Sequence, residues 1–273
     1  MFTDLDGTLL DHHSYDCTPA LPMLERLRAS RVPVILSTSK TLSETRHHAQ
    51  ALGLDGPLIT ENGGAVCVPL APSGESRTDL PTDLIDSGYA VSVSGPGYTR
   101  LKEWLHRTRT ASGFRFTGFD DWTDQQVAEH TGLAFEAASR ARERLATEPL
   151  IWEDSPEALK QFQSHVSAAG LRCVQGGRFY HVTGPRGKAE AMQLVLDRSL
   201  PPGNYTGPIV ALGDGPNDRD MLLRADIAVA IKDHRGGYMD LPERPDAILT
   251  QAAGPLGWRE AIERILRDHP IPV

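Results

Sequence analysis

Short apolar runs of strand length recur at both ends of this chain, each separated from the next by a stretch with helical spacing. That alternation restricts the fold more than any other feature. Leu21, Leu24 and Leu27 recur at helical spacing behind Pro19, and Val32, Val34, Ile35 and Leu36 then form a strand-like run ending in Ser37, Thr38, Ser39 and Lys40. A helix follows over 42–52, stopped by Gly53, and a short strand over 57–60 runs into Glu61, Asn62, Gly63 and Gly64. The pattern resumes near the far end. A helix from Lys188 carries Ala189, Met192, Val195 and Leu196 on one face, and a buried-type strand over 208–212 leads into Gly213-Asp214-Gly215-Pro216-Asn217-Asp218. Further strands are expected at 227–231 and 247–249, before a last helix with Trp258, Ile262, Ile265 and Leu266 on one side. Apolar strands alternating with amphipathic helices imply an α/β fold, a parallel sheet covered on both faces.

The middle of the chain has a different texture. Residues 70–88 are rich in Pro, Ser, Asp and Gly, which marks a boundary or a surface excursion. Strands are expected at 90–94, 114–119, 150–153, 171–175 and 179–183. Ser155 and Pro156 form a good helix start, after which Leu159, Phe162 and Val166 share a face until Gly170. The spacing therefore predicts a separate α+β domain over 84–183, inserted into a sheet domain made of 1–83 and 184–273. The first motif begins at Asp4, leaving only Met1, Phe2 and Thr3 for the strand before it. A strand usually has about five or six residues, so this one is clipped or its start lies upstream.

Composition removes several classes. A chain of 273 residues with 40% hydrophobic residues has enough material for a packed core. Its net charge of -8 argues against nucleic-acid binding by counterion release, though a local basic pocket remains compatible with an anionic substrate. No apolar run reaches membrane-spanning length, and no basic segment followed by an apolar stretch opens the chain as a secretory signal would. Cys17, Cys67 and Cys173 form no zinc-ligand pair and read as buried free thiols of a cytoplasmic protein, monomeric or weakly dimeric.

The chemistry concentrates in two acidic turns. In Asp4-Leu5-Asp6-Gly7-Thr8 the two carboxylates lie two residues apart, so in extended backbone they project to one side, just past a strand end where open α/β sheets bind ligands. Close carboxylates repel, which favours a bound cation or a raised pKa. Taken alone the segment also fits a turn with Gly7 at its bend. An EF-hand is excluded, because Leu9 stands where that loop needs Gly and Tyr15 where it needs Glu. The second turn adds Asp214 and Asp218, and oxygen donors without His or Cys suit magnesium. Thr38 fits either a phosphate site at a helix N-terminus or a plain N-cap. Lys188 fits either a solvated lysine or a charge for a phosphoryl transition state. Gly95-Pro96-Gly97 lacks the remainder of a dinucleotide fingerprint. The histidine pairs 12–13 and 47–48 lack helical metal spacing and read as surface or packing residues.

The ordered set Asp4-x-Asp6-Gly7-Thr8, Thr38, Lys188 and Gly213-Asp214 with Asp218 resembles the four motifs of phosphatases of the haloacid dehalogenase (HAD) superfamily. The position of the insert is similar to that in the superfamily's α/β-capped branch. The finer stretches Ser39-Lys40, Glu61-Asn62-Gly63-Gly64, Thr131-Gly132-Leu133, Gly176-Gly177-Arg178-Phe179-Tyr180-His181 and Gly254-Pro255-Leu256-Gly257-Trp258-Arg259-Glu260 resemble the mannosyl-3-phosphoglycerate phosphatase family. The resemblance implies a HAD-like Rossmannoid parallel-sheet core with an inserted α+β cap domain. It implies Asp4 as nucleophile, Asp6 as general acid and base, and Thr38 and Lys188 on the phosphoryl oxygens. Mg2+ would sit on the carboxylates of Asp4 and Asp214 and the Asp6 backbone carbonyl, with Asp218 and Asn217 behind them. Lys40, Glu61, Asn62, Gly63, Arg178 and His181 would meet the substrate, with Arg178 on the glycerate carboxylate. The implied substrate is mannosyl-3-phosphoglycerate. Glucosyl-3-phosphoglycerate, a hexose phosphate and a phosphomutase reaction remain alternatives.

Overall fold

Phe2 and Thr3 are flanked on both sides by other strands in the computed structural model, which describes residues 1–73, 79–176, 178–199 and 207–270. This short strand β1 (Phe2–Thr3) pairs in parallel with β2 (Ile35–Ser37) on one side and with β11 (Val210–Gly213) on the other. Between them in sequence come α1 (Leu21–Ala29), α2 (Leu42–Ala51), β3 (Leu58–Thr60), β4 (Ala65–Pro69), β5 (Leu84–Asp86) and β6 (Tyr89–Val93). The chain then runs through α3 (Tyr98–Ser112), β7 (Phe116–Gly118), α4 (Asp124–Thr131), α5 (Phe135–Arg142), β8 (Thr147–Trp152), α6 (Pro156–Ala168), β9 (Arg172–Gly176) and β10 (Phe179–Thr183). It returns through α7 (Lys188–Arg198), β11, α8 (Arg219–Arg224), β12 (Ile227–Lys232), β13 (Ile248–Ala253) and α9 (Gly254–Asp268).

Among the described residues one sheet has the order β13-β12-β11-β1-β2-β3-β4-β6-β5, and a second has the order β7-β8-β10-β9. Strands β13 through β3 run parallel, as the alternation predicts, while β4, β6 and β5 extend the sheet antiparallel. One face packs under α1, α2 and α9 around Leu24, Leu27, Leu36, Trp258 and Ile262. The other packs under α7 and α8 around Phe2, Ile35, Met192, Val195 and Leu222. Burial on both faces explains why β11 is apolar throughout. The Trp258 indole N–H donates to Thr3 Oγ1 at 3.0 Å, so the last helix reaches the strand that carries the first motif. Leu21 departs from its expected place with Leu24 and Leu27, since it starts α1 on the exposed side.

The expected insert boundary at 84 needs correction. Strands β5 and β6 pair with each other, and β6 pairs with β4, so both belong to the larger sheet. The Pro- and Ser-rich stretch before them connects two strands of one sheet. Its composition reports surface exposure, which a hairpin loop and a domain linker share. Residues 74–78 of that stretch lie outside the described residues. The four-stranded sheet takes its strands from 116–183. It packs α3 and α6 around Leu101, Phe116, Phe162 and Val182, with α4 and α5 around Phe119, Trp122 and Val127. Phe162 and Val166 are buried and Leu159 packs beside them. The Ser155 side chain caps α6 by accepting from the Ala158 N–H at 3.1 Å. The segments leaving and re-entering the larger sheet touch, because the Arg186 N–H donates to Ser94 Oγ at 2.9 Å. All three cysteines are free, but only Cys67 is buried, with Cys17 and Cys173 half-buried. No helix among the described residues is long and apolar enough to cross a membrane.

Candidate active site

Parallel strands end at the same edge, so the residues that follow β1, β2 and β11 come together there. Asp4 follows β1, Thr38 follows β2 and Asp214 follows β11, while Lys188 opens α7. The Lys188 ammonium is buried and donates to Asp4 Oδ1 and to Asp218 Oδ1, both at 2.6 Å. Asp218 is held from its other oxygen by the Gly215 N–H at 3.1 Å. Asp214 Oδ1 accepts from the Thr8 hydroxyl at 3.1 Å. Gly7 has φ +78°, and a Cβ there would stand 2.4 Å from Asp214 Oδ2, so glycine lets the first turn approach the second.

One ammonium faces three carboxylates, and the proton affinities follow. Burial pushes the Asp4 carboxyl well above its ordinary value. Lys188 opposes that rise, and Asp218, Asp214 and Asp6 add to it. Burial and then Asp218 push Asp214 up to about 7. Burial would lower the Lys188 value, but Asp218 and Asp4 outweigh it and keep the ammonium charged. The trio thus holds excess negative charge that a proton or a cation relieves. Asp4, Asp214 and Asp218 each offer an oxygen, all within 4.8 Å of one another. An all-carboxylate donor set of this kind fits a hard divalent cation such as Mg2+.

Asp6 has a cationic partner of its own. Its Oδ2 pairs with the Lys40 ammonium at 3.0 Å, and its buried Oδ1 has no hydrogen-bond partner among the described residues. Lys40 also approaches Glu44 at 3.8 Å and lies over the Tyr15 ring, 4.9 Å from its centroid. Thr38 is fully buried. Its N–H donates to the Ile59 carbonyl, and its Oγ1 accepts from the Lys40 N–H at 3.2 Å, leaving the hydroxyl proton as its free donor. The N-cap of α2 is Thr41, in a reciprocal box with Glu44, so the plain-cap reading of Thr38 is excluded.

The stretch 61–63, expected to meet the substrate, is engaged with other parts of the chain. Glu61 is completely buried. Its Oε1 accepts from the Leu145 N–H at 2.7 Å, and its Oε2 from the Ala146 N–H, the Thr147 N–H and the Thr147 hydroxyl at 2.8–3.0 Å. It ties the segment entering β8 to the loop after β3, with both of its oxygens engaged. Asn62 Oδ1 accepts from Asn217 Nδ2 at 3.1 Å, linking two loops of the site. Gly63 has φ +89°, and a Cβ there would lie 2.2 Å from the Gly187 carbonyl, so it admits the start of α7. None of the three lines the cavity beside the site.

That cavity measures about 1000 Å³ and lies between the two sheets' loops. Asp6 and Lys40 line it from the larger sheet's side, and Arg144, Arg178 and His181 from the other. Phe179 and His181 share a face of β10, as strand alternation requires. Arg178 sits in the turn before β10, outside that alternation, and so reaches the same cavity as His181. Gly177 lies outside the described residues. Burial and then Arg144 push the His181 value down to about 3, so this imidazole is neutral. Thr131, Gly132 and Leu133 also line the wall. The sequence reading missed Thr8 and Arg144 as members of the site. Thr8 stood inside the quoted motif, whereas Arg144 carries no local signal. It also dismissed His12 and His13, which line the cavity with His234 and Arg235.

Residues 1–85 match the family model of haloacid dehalogenase-like hydrolases. Several solved structures align over nearly the whole chain. A phosphatase of the haloalkanoate (HAD) enzyme superfamily from Bacteroides thetaiotaomicron aligns at 17% identity over 97% of this chain and 93% of its own, with a TM-score of 0.66. A HAD subclass IIB sugar phosphatase aligns at 16% identity over 97% of each chain, with a TM-score of 0.63. A Thermoplasma acidophilum protein aligns at 15% identity over 99% of this chain and 97% of its own, with a TM-score of 0.65. The fold is therefore HAD-like α/β.

Proposed function

We propose that the protein is a phosphoric monoester hydrolase acting on a small sugar phosphate, with mannosyl-3-phosphoglycerate as its substrate. The observation that carries the reading is the buried Lys188 bridge between Asp4 and Asp218, set beside Asp214 at the strand ends. A buried ammonium on a carboxylate is a poor packing solution and a good phosphoryl site, because it neutralises charge where the transferring group sits. The similarity to a phosphatase and to a sugar phosphatase points the same way.

In this reading Asp4 attacks phosphorus in line, forming a P–O bond to its carboxylate as the ester P–O bond breaks. Asp6 gives its proton to the departing oxygen, then takes one from the water that attacks the aspartyl-phosphate and releases inorganic phosphate. The Thr38 hydroxyl and the Lys188 ammonium hold the equatorial oxygens. Asp4, Asp214 and the Asp6 carbonyl would hold Mg2+, which when bound neutralises phosphoryl charge. Asp218 fixes Lys188 and completes the acidic group. Arg178, His181 and Arg144 would face the leaving group. Of the cavity's charged lining, Lys40, Arg144, Arg178 and Arg235 are cationic and Asp6 and Glu44 anionic, so a chain of net charge -8 presents a basic pocket. That excess suits a substrate with a carboxylate besides its phosphate.

The test is phosphate release from mannosyl-3-phosphoglycerate, glucosyl-3-phosphoglycerate and hexose phosphates, with excess magnesium and with a chelator. The expected result is metal-dependent release with the highest kcat/KM on mannosyl-3-phosphoglycerate. A higher kcat/KM on a hexose phosphate would refute the substrate, and no release from any phosphomonoester would refute the activity.

A further inference from the structure

The cavity has a second polar wall to which no role has yet been given. His12 and His13 come from the loop between β1 and α1, and His234 and Arg235 from the turn after β12. The rings of His12 and His234 stack at 3.9 Å with 7° between their planes, and His13 meets both edge-on at 4.9 and 5.4 Å. Both loops are pinned from within. Asp11 Oδ1 accepts from the His13 and Ser14 N–H groups at 3.0 and 2.8 Å, and Asp233 Oδ1 accepts from the Arg235 and Gly237 N–H groups at 2.8 Å each. These two carboxylates are thus turned to their own loops, and Asp6 and Glu44 are paired with Lys40.

Arg235 Nε donates to His234 Nε2 at 3.3 Å. The terminal nitrogens of Arg235 have no acceptor among the described residues. Arg178 across the cavity is in a different position. Its Nη2 donates to the Thr131 carbonyl at 3.0 Å, and its guanidinium lies over the Phe179 ring, 5.4 Å from the centroid. A planar carboxylate needs two parallel N–H donors on one edge of a guanidinium. Arg235 has its two terminal nitrogens open beside the imidazoles, while Arg178 has committed one Nη2 hydrogen and a face of its guanidinium to the protein. The imidazoles are not a preformed metal site, since the group of metal-capable side chains drawn together among the described residues is Asp4, Asp214 and Asp218.

We infer that Arg235, flanked by His12, His13 and His234, is the subsite for a carboxylate that the substrate carries in addition to its transferred phosphate. Arg178 then contacts the uncharged part of the leaving group. The assignment rests on the phosphatase reading above and deepens it, by placing the carboxylate on the larger sheet's side of the cavity.

The experiment compares two probes of the same length, 3-phosphoglycerate and glycerol 3-phosphate, which differ in a carboxylate against a hydroxymethyl group. Binding is measured by calorimetry with magnesium present and Asp4→Asn throughout, so that neither probe is consumed. The parent is expected to prefer 3-phosphoglycerate by about tenfold, the effect of one charge-assisted contact. Arg235→Gln should remove that preference, His12→Gln/His13→Gln should reduce it, and Arg178→Gln should keep it. Retention in Arg235→Gln, loss in Arg178→Gln, or no preference in the parent overturns the assignment. A carboxylate preference in a protein that hydrolyses no phosphomonoester would refute the activity and leave the subsite standing.

Discussion

Replacing Lys188 by methionine tests the centre of the site, because its effect follows from the geometry around one atom. The ammonium is 2% exposed and donates to two carboxylates at 2.6 Å. Methionine fills similar volume without charge, leaving Asp4, Asp214 and Asp218 within 4.8 Å of one another and no cation among them. Removing one partner of a buried ion pair costs about 3–5 kcal/mol, since the remaining charge is desolvated and unpaired. For a chain of this size each kcal/mol lowers the melting temperature by roughly 2–4 °C, so Lys188→Met should melt roughly 6–20 °C lower in the absence of divalent cations. The sign with pH is defined. Lys188 has a folded value above its ordinary one, so its contribution is full at all pH values below that ordinary value and is lost only in strong alkali. Asp214, raised to about 7, and Asp4 bind protons as the pH falls, which relieves the repulsion left in the variant. The deficit should therefore be larger at pH 8 than at pH 5. Calorimetry with a chelator at both pH values checks this, and adding magnesium should recover part of the loss at pH 8. A variant melting within about 2 °C of the parent at pH 8 would show that Lys188 does not neutralise the acidic trio.

Three further outcomes are expected. Asp4→Asn should abolish turnover while keeping the circular dichroism of the parent, since a carboxamide is nearly isosteric but cannot act as nucleophile; activity within about tenfold of the parent would contradict the assignment. Calcium should support little turnover where magnesium supports full rates, because its larger and looser coordination misaligns in-line attack; full activity after exhaustive chelation would remove the metal from the reaction. Glu148 is a buried residue of β8, where it accepts from the Tyr98 hydroxyl and the Asp120 N–H, and burial raises its carboxyl from 4.5 to about 7. The folded protein then binds more protons than the unfolded one between those values, so stability falls as pH rises through that window. Glu148→Gln should be more stable than the parent at pH 8, by up to about 3 kcal/mol. Chemical denaturation at pH 5 and pH 8 measures the difference, and an equal effect at both would refute the burial argument.

Much of the site was legible because its residues sit in short motifs whose placement follows from strand ends. Asp4 and Asp214 could be named from local sequence, since parallel strands terminate at one edge, whereas Lys188 fitted a solvated lysine equally well until the resemblance singled it out. Thr38 could be named as a candidate, but its choice between phosphate ligand and N-cap turned on Thr41 capping α2. The 61–63 stretch shows what local sequence leaves open. Its residue types suit ligand binding, yet Glu61 spends its oxygens on 145–147 and Gly63 admits Gly187, both partners from distant parts of the chain. The boundary at 84 failed for a related reason, since a polar loop looks the same whether it joins two strands or two domains.

Hydrophobic periodicity and the acidic turns by themselves determined the α/β class, a parallel sheet covered on both faces and the identity of the carboxylates at its strand ends. These follow from the geometry of single elements, which nearby residues specify. Only the tertiary structure decided that Lys40 pairs with Asp6, that Arg144 and His181 reach the cavity, and that His12 meets His234 across 222 residues of chain. Those contacts depend on how the second sheet and the β12 turn come to rest over the strand ends. No local pattern encodes that, because each partner sees the other only after the sheets are assembled.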